Sequence, residues 1–351
     1  MKRFIIFFSI LFISCETEIT NLKISSDSDA IVIYGELNNY AEPLKVRIHY
    51  ASRYDPYDIS TFKGKSVENA QVFVKDNEGN ITNLDYLGEG LYSTIQDFVG
   101  KVNSSYKLQI ITKDGLEIES EESLLKSSPE IINFNTEFID AEKVEDMRFD
   151  LSATLKDKSG STDQYFIRRQ DFIEFLTICQ DPPPPPASPP PCYSKCWRAP
   201  LNTQPLLIKD FLIDGQDVPI SLTPIDLKDI TEWVIQIEAL SVSKNIYDYW
   251  ETQEKQRLIG GSIFDKIPAQ IAGNLRCTNK PAQQVLGVFV VAGFTKKRLK
   301  INRFESVSAE IGRKIQSYVD FNDIRFENHK INDCRRAAWI DYNLGFTIPP
   351  L

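Results

Sequence analysis

The sequence predicts a mainly β protein: an immunoglobulin-like β-sandwich at residues 30–128, then a second β-rich domain at 129–351 with one or two helices. Three observations predict it. Strand-length runs alternate or are β-branched, as in IVIYGEL (31–37) and LKVRIHY (44–50). Turn signals recur about every 8–12 residues, the spacing of a sandwich rather than of βαβ units. One stretch, about 243–257, follows a helical period, with Ile246, Tyr249, Trp250 and Gln253 on one face.

Taken in order, MKRFIIFFSILFIS (1–14) has Lys2 and Arg3 before a short apolar core, the pattern of an export signal. Its apolar run falls short of the roughly 20 residues a bilayer-spanning helix needs. No A-x-A cleavage site precedes Cys15; Phe12, Ile13 and Ser14 stand there instead, an arrangement that resembles a bacterial lipobox. That resemblance implies cleavage before Cys15 and lipid, including palmitate, on this residue, giving durable anchoring to the outer-membrane bilayer. Residues 15–29, rich in Ser and Asp, read as the lipidated N-terminus and a flexible stalk.

The sandwich begins with the two runs already quoted. VENAQVFVK (67–75) places Ala70, Val72 and Val74 on one face and leads into the turn DNEG (76–79). Gly88 and Gly90 bend the chain in GEGLYS, and SYKLQIITKDGLEIES (105–120) reads as a hairpin about a two-residue Asp114-Gly115 turn. In the second domain RFDLSATL (148–155), QYFIRRQDFIEFLTI (164–178), ITEWVIQIEAL (230–240) and the run 285–294 are strands. KKRLK (296–300) reads as a solvated edge guarded against pairing.

Residues 180–191 form a proline-rich loop, with eight prolines in two runs. In polyproline II the 13 steps from Cys179 to Cys192 would span about 40 Å. A disulfide needs Cα atoms within about 7 Å, so these two pair only if the chain folds back at Ala187-Ser188. The loop reads as a projecting arm or as an insertion tolerated at the surface.

With Cys15 given to lipid, Cys179, Cys192, Cys196, Cys277 and Cys334 remain as disulfide cysteines in an oxidising compartment. Five thiols allow at most two bridges, and the connectivity is open. The alternative, a zinc site from Cys192, Cys196, Cys277 and Cys334, carries less weight because its Cys-x3-Cys spacing is loose and no His stands nearby. No cofactor is predicted.

A charge of −9, from 40 Lys+Arg against 49 Asp+Glu, argues against sequence-independent nucleic-acid binding, which needs bases to neutralise phosphate. The two histidines, His49 and His329, have no metalloprotease spacing, and no G-x-S-x-G elbow or phosphate-cradling glycine loop occurs. The sequence thus predicts a protein that is not an enzyme, with a cryptic carboxylate hydrolase the least favoured reading. Candidate partner or ligand contacts are Tyr249, Trp250 and Phe264 on the helix and the loop after it, and Trp197 beside the proline-rich loop. Core packing of Tyr249, Trp250 and Phe264 is the competing account.

The CE at the lipidated N-terminus, IVIYGEL, VENAQVFVKDNEG, GEGLY and VNSSYKLQIITKDGLEIES, followed by SVSKNIYDYWETQ (241–253), GGSIFDKIPAQIAGNL (260–275) and VLGVFVVAGF (285–294), resemble a family of Bacteroidota outer-membrane lipoproteins catalogued as a domain of unknown function. The resemblance covers nearly the whole mature chain. It implies an outer-membrane, lipid-anchored protein in the company of a TonB-dependent transporter; Glu16 and Glu18 resemble the acidic surface-export signals of such bacteria and point to the cell surface, with the periplasmic face as the alternative. The expected role is accessory subunit in nutrient uptake; the alternative is a stand-alone surface protein that binds or adheres to an extracellular polymer. No catalytic residues are implied.

Overall fold

The computed structural model describes residues 30–52, 64–160, 164–176, 195–198, 205–209, 214–226, 232–258, 271–302 and 307–321. Cys15, Cys179, Cys192, Cys334, Phe264 and the proline-rich loop lie outside these residues.

The N-terminal part supplies strands β1 (Ile31–Asn38), β2 (Lys45–Tyr50), β3 (Gln71–Asp76), β4 (Ile81–Gly88), β5 (Leu91–Ser93), β6 (Ser105–Ile111), β7 (Glu117–Ser120) and β8 (Ser123–Leu124). The C-terminal part adds β9 (Glu130–Ile139), β10 (Arg148–Lys156), β11 (Gln164–Leu176), β12 (Lys195–Arg198), β13 (Leu206–Lys209) and β14 (Asp217–Asp226). It ends with β15 (Glu232–Val242), α1 (Lys244–Arg257), β16 (Leu275–Cys277), β17 (Val285–Asn302) and α2 (Ala309–Phe321). The protein is therefore mostly β, with two α-helices among the described residues.

One curled, half-barrel sheet runs in the order β12-β11-β15-β17-β1-β2-β5-β4-β3-β6-β7-β16, with β13 added to β11 and β8 to β6. The part from β17 to β16 wraps a single core that includes Ile33, Val46, Ile48, Val72, Leu108, Ile110, Ile118 and Phe289. Alternation explains it: Ile31, Ile33 and Leu37 face inward, and Tyr34 and Glu36 face the other way. The DNEG turn forms because the Asp76 carboxylate accepts the N–H groups of Glu78 and Asn80. The hairpin at 105–120 has a longer loop than the two-residue turn expected. Ile111 pairs with Glu117 and Thr112 N–H reaches the Leu116 carbonyl, so Gly115, at φ +81°, closes a three-residue loop.

In the C-terminal part, the separate sheet β14-β10-β9 covers one face of β11, β15 and β17, with Ile131, Leu155, Tyr165, Ile220 and Ile237 between the layers. Farther along, Phe149, Ile225, Ile235 and Ile301 pack with Ile315 of α2. Helix α1, found where the period placed it, covers the opposite face through Ile246, Tyr247 and Trp250. Strand β15 is covered on both sides, so nine consecutive residues, Val234 to Val242, are buried whichever face they take.

The long strand β17 belongs to both parts. Residues 285–292 run parallel to β1, and residues 293–302 run antiparallel to β15. KKRLK is consequently paired rather than solvated: Lys300 meets Glu232 at 2.8 Å, and Arg298 donates to Gln236 at 2.6 Å.

The expected disulfides are corrected by the structure. Cys277 is a free, buried thiol that donates to Asn279 Oδ1 at 3.3 Å, and no disulfide occurs among the described residues. The cause is placement: β16 turns Cys277 into the first core beside Leu275, and β12, which carries Cys196, stands at the other end of the strand order.

Candidate functional site

The faces of β1, β11, β15 and β17 that lie on the α1 side carry charges inside the sheet. In β15, Gln236 and Glu238 are only 4% and 6% exposed among apolar neighbours. Pairing register sets Arg168 of β11 and Lys296 of β17 on either side of Glu238, and Gln170 and Arg298 on either side of Gln236. Buried charge is costly unless paired and hydrogen-bonded, and here the pairs are made. Arg168 donates through Nη1 and Nη2 to the Glu36 carboxylate at 2.8 and 3.0 Å, and through Nε to Glu238. Its planar fork suits this geometry in a way that a lysine ammonium would not. Asn38 Nδ2 donates to Glu36 and Glu42 at 3.3 and 3.2 Å, and Gln236 Nε2 donates to Gln170 at 3.1 Å and to Glu238.

Burial works against the Arg168 charge, and the Glu36 and Glu238 carboxylates overcome it, so its pKa is raised. The Tyr34 hydroxyl is pushed up to about 12, first by burial and then by the Glu36 carboxylate, although the residue as a whole is 40% exposed. Arg168 thus ties β1 of the N-terminal part to β11 and β15 of the C-terminal part. The arrangement is a charged joint that fixes the two parts against each other.

Aromatic rings border the joint. Trp250 stacks on Phe166 with centroids 4.9 Å apart and meets Tyr249 and Tyr34 edge-on at 5.3 and 6.4 Å. Tyr40 meets Phe294 at 5.8 Å, and Lys296 Nζ stands 4.0 Å above the Tyr40 ring. Of the sequence-predicted contacts, Tyr249 and Trp250 are thus brought together on α1. Trp197 is in β12, four strands along the sheet order from β1, and its neighbours on the ladder are those of β11. Tyr249 also lines a cleft of about 350 Å³ with Asn245, Thr252, Gly273 and Asn274.

A second feature, missed in the sequence, lies where β16 and β17 meet without a ladder between them. A Cβ on Gly273 would stand 1.6 Å from the Gly287 carbonyl oxygen, and one on Gly287, at φ +92°, 2.0 Å from that of Ile33. Only glycines admit this approach. Beside them the buried Asn274 side chain donates to the Phe289 carbonyl at 2.8 Å and accepts its N–H at 2.9 Å. One carboxamide does the work of a ladder pair and closes the curl. Among the described residues no group of three or more His, Cys, Asp and Glu side chains is placed to hold a metal ion, and no helix is long and apolar enough to cross a membrane.

The seam glycines and Asn274 fall in the stretches GGSIFDKIPAQIAGNL and VLGVFVVAGF, and the joint begins in IVIYGEL. A family model described as domain of unknown function (DUF4249) matches residues 17–298, which hold all three. The chain belongs to this family. The family is found in Bacteroidota and is associated with outer-membrane systems. A comparison with curated proteins gave no match.

Among solved structures the chain is similar to a DUF4785 family protein from Legionella pneumophila, with 9% identity over 60% of this chain and 50% of that one, at a TM-score of 0.20. It is similar to trypsin-activated alpha-2-macroglobulin from Escherichia coli at 8% identity, over 62% of this chain and 14% of that one, with a TM-score of 0.19. The C-terminal globular domain of an oligosaccharyltransferase from Pyrococcus abyssi gives 12% identity, 78% and 49% coverage and a TM-score of 0.15. The chain spans half or less of each of these structures, and similarity this low carries no argument about fold or function.

Proposed function

We propose that the protein is a non-enzymatic lipoprotein of the outer membrane, anchored at the cell surface through Cys15, that acts as the accessory subunit of a TonB-dependent transporter in nutrient uptake. The observation that carries this reading is the family match over residues 17–298, since the family is associated with outer-membrane systems. The export signal ending at Cys15 supports the anchor. A tether confines both partners to one plane and raises their effective concentration, so a modest interface suffices. The charges buried in the joint are engaged with one another, which supports a holding role for them rather than chemistry. The curl of the first part around one core supports an immunoglobulin-like sandwich there.

The test is to purify the lipidated protein from its own outer membrane in mild detergent, with Cys15→Ala as control. A β-barrel transporter recovered in near-equal amount, and lost in the control, supports the reading; a protein recovered alone removes it. One observation favours the alternative of a stand-alone polymer binder: the cleft beside Tyr249 is within the size range of ligand sites, which begins at about 300 Å³.

A further inference from the structure

We infer that the loop between β5 and β6 is the surface on which the transporter docks. The inference rests on the accessory reading above and names its interface. Residues 94–104 expose Ile95 at 85%, Val99 at 54% and Val102 at 41%, and the neighbouring Tyr40 and Leu124 are exposed too. One exposed aliphatic side chain needs no explanation, but three within a single loop of eleven residues, with Tyr40 and Leu124 on segments bonded to or flanking it, are what an interaction site would present.

This loop is held rigidly while it displays them. Thr94 exchanges hydrogen bonds with Leu44, Thr94 N–H reaching the Leu44 carbonyl and Leu44 N–H reaching Thr94 Oγ1, both at 3.0 Å. Phe98 N–H reaches the Glu42 carbonyl and Gly100 N–H that of Asn38, both at 2.9 Å. Asn103 N–H reaches the Leu125 carbonyl at 2.8 Å, and Lys101 N–H the Tyr106 hydroxyl at 2.7 Å. At Gly100 a Cβ would lie 2.8 Å from the Asn38 carbonyl oxygen, a backbone atom that cannot swing aside, as well as 2.3 Å from Leu125 Cδ1, so a glycine is needed for this fit. A loop fixed before binding loses little entropy when it binds.

Position selects the occupant. The tethered segment enters at Ala30, and the eight residues of β1 carry the chain about 26 Å from there to Asn38, where the loop is bonded. Strand β17 then runs on from Gly293 to Asn302, about 33 Å farther, and carries the second part. The apolar rim is therefore at the waist of the molecule, between its two parts. A bilayer would meet the waist only with both parts laid flat on it, and an acidic chain at −9 gains no attraction for an anionic membrane surface. The occupant that fits is a protein standing out of the same membrane beside the waist. The segment from Cys15 to Ala30 spans at most about 50 Å, which keeps such a neighbour within reach.

The test places a photo-reactive benzophenone amino acid at position 95 or 99 of the full lipidated chain, and at the exposed Leu87 as control, in the native outer membrane. Leu87 is at the stalk end of the first part. The expected result is a cross-link from 95 and 99 to a TonB-dependent transporter at least about fivefold above that from 87. Val99→Asp should lower the co-purifying transporter about tenfold, and Val99→Ser less, with melting temperature and membrane yield unchanged. Cross-links from 95 and 99 only to lipid or to a second copy overturn the inference. So do cross-links from 87 alone with the transporter still co-purifying, an outcome that leaves the accessory reading standing. Absence of any transporter from the wild-type preparation overturns both.

Discussion

The seam between β16 and β17 and the joint between β1 and β11 solve one problem, holding strands together where no ladder does, with opposite chemistry. At the seam, Gly273 and Gly287 bring two backbones into contact and the neutral Asn274 carboxamide satisfies both backbone groups of Phe289. At the joint, Arg168 spans to Glu36 and Glu238 with charge-assisted bonds. A neutral amide is satisfied by two hydrogen bonds and depends on close approach. A buried guanidinium reaches farther, but it commits two carboxylates that become a liability if it is lost. Contact geometry thus closes the first part, and charge sets how the second is held on it.

The largest effect is expected at the seam. Gly273→Ala puts a methyl group against the Gly287 carbonyl and should cost about 3 kcal/mol or more, read from chemical denaturation. A small loss would mean that the seam opens without consequence and would break the contrast. Arg168→Met should cost about 3 kcal/mol, the low end for a broken buried pair because Arg168 keeps 29% side-chain exposure. Adding Glu36→Gln and Glu238→Gln should restore much of it, since the loss lies in the stranded carboxylates; failure to recover would assign the effect to packing instead.

Asn274→Ala should cost about 2 kcal/mol by leaving the Phe289 N–H and carbonyl without partners. The smallest effect concerns β16 itself. Glu119 of β7 has its carboxyl lowered first by the hydrogen bond from Lys107 and also by Arg276 of β16. A folded pKa below the unfolded one gives stability above about pH 4.3 that is lost as pH falls through the lower folded value. Glu119→Gln should therefore cost under about 1 kcal/mol at pH 7, with the difference from wild type vanishing on acidification. A difference that grows with acid would contradict the pairing.

Much of the strand framework was legible. IVIYGEL, SYKLQII, RFDLSATL and ITEWVIQIEAL carry their periodicity in the open, and the helix at Lys244–Arg257 shows its aromatic face. The full extent of β17 was not, because VLGVFVVAGF passes into KKRLK and a run of bases imitates the end of a buried strand. Glu232, Gln236 and Glu238 of β15 stand against Lys300, Arg298 and Lys296 and explain three of those bases. The joint was hidden by distance: Arg168 is 132 residues from Glu36 and 70 from Glu238. The available signal was Gln236 and Glu238 on one face of an otherwise apolar strand, a pattern that demands buried partners. The seam glycines read as ordinary loop residues because backbone contact leaves no periodic trace. Disulfide pairing was inferred from compartment alone, and that reasoning is blind to the direction in which β16 points Cys277.

The contrast is tested most directly by hydrogen exchange of the full chain and of Arg168→Met under native conditions, followed strand by strand. Faster exchange is expected in β11 and at the Asn38 end of β1, with Phe289 and the start of β17 as protected as in wild type. Equal loss of protection at Phe289 would mean that seam and joint open together, and the division of labour between contact and charge would be wrong.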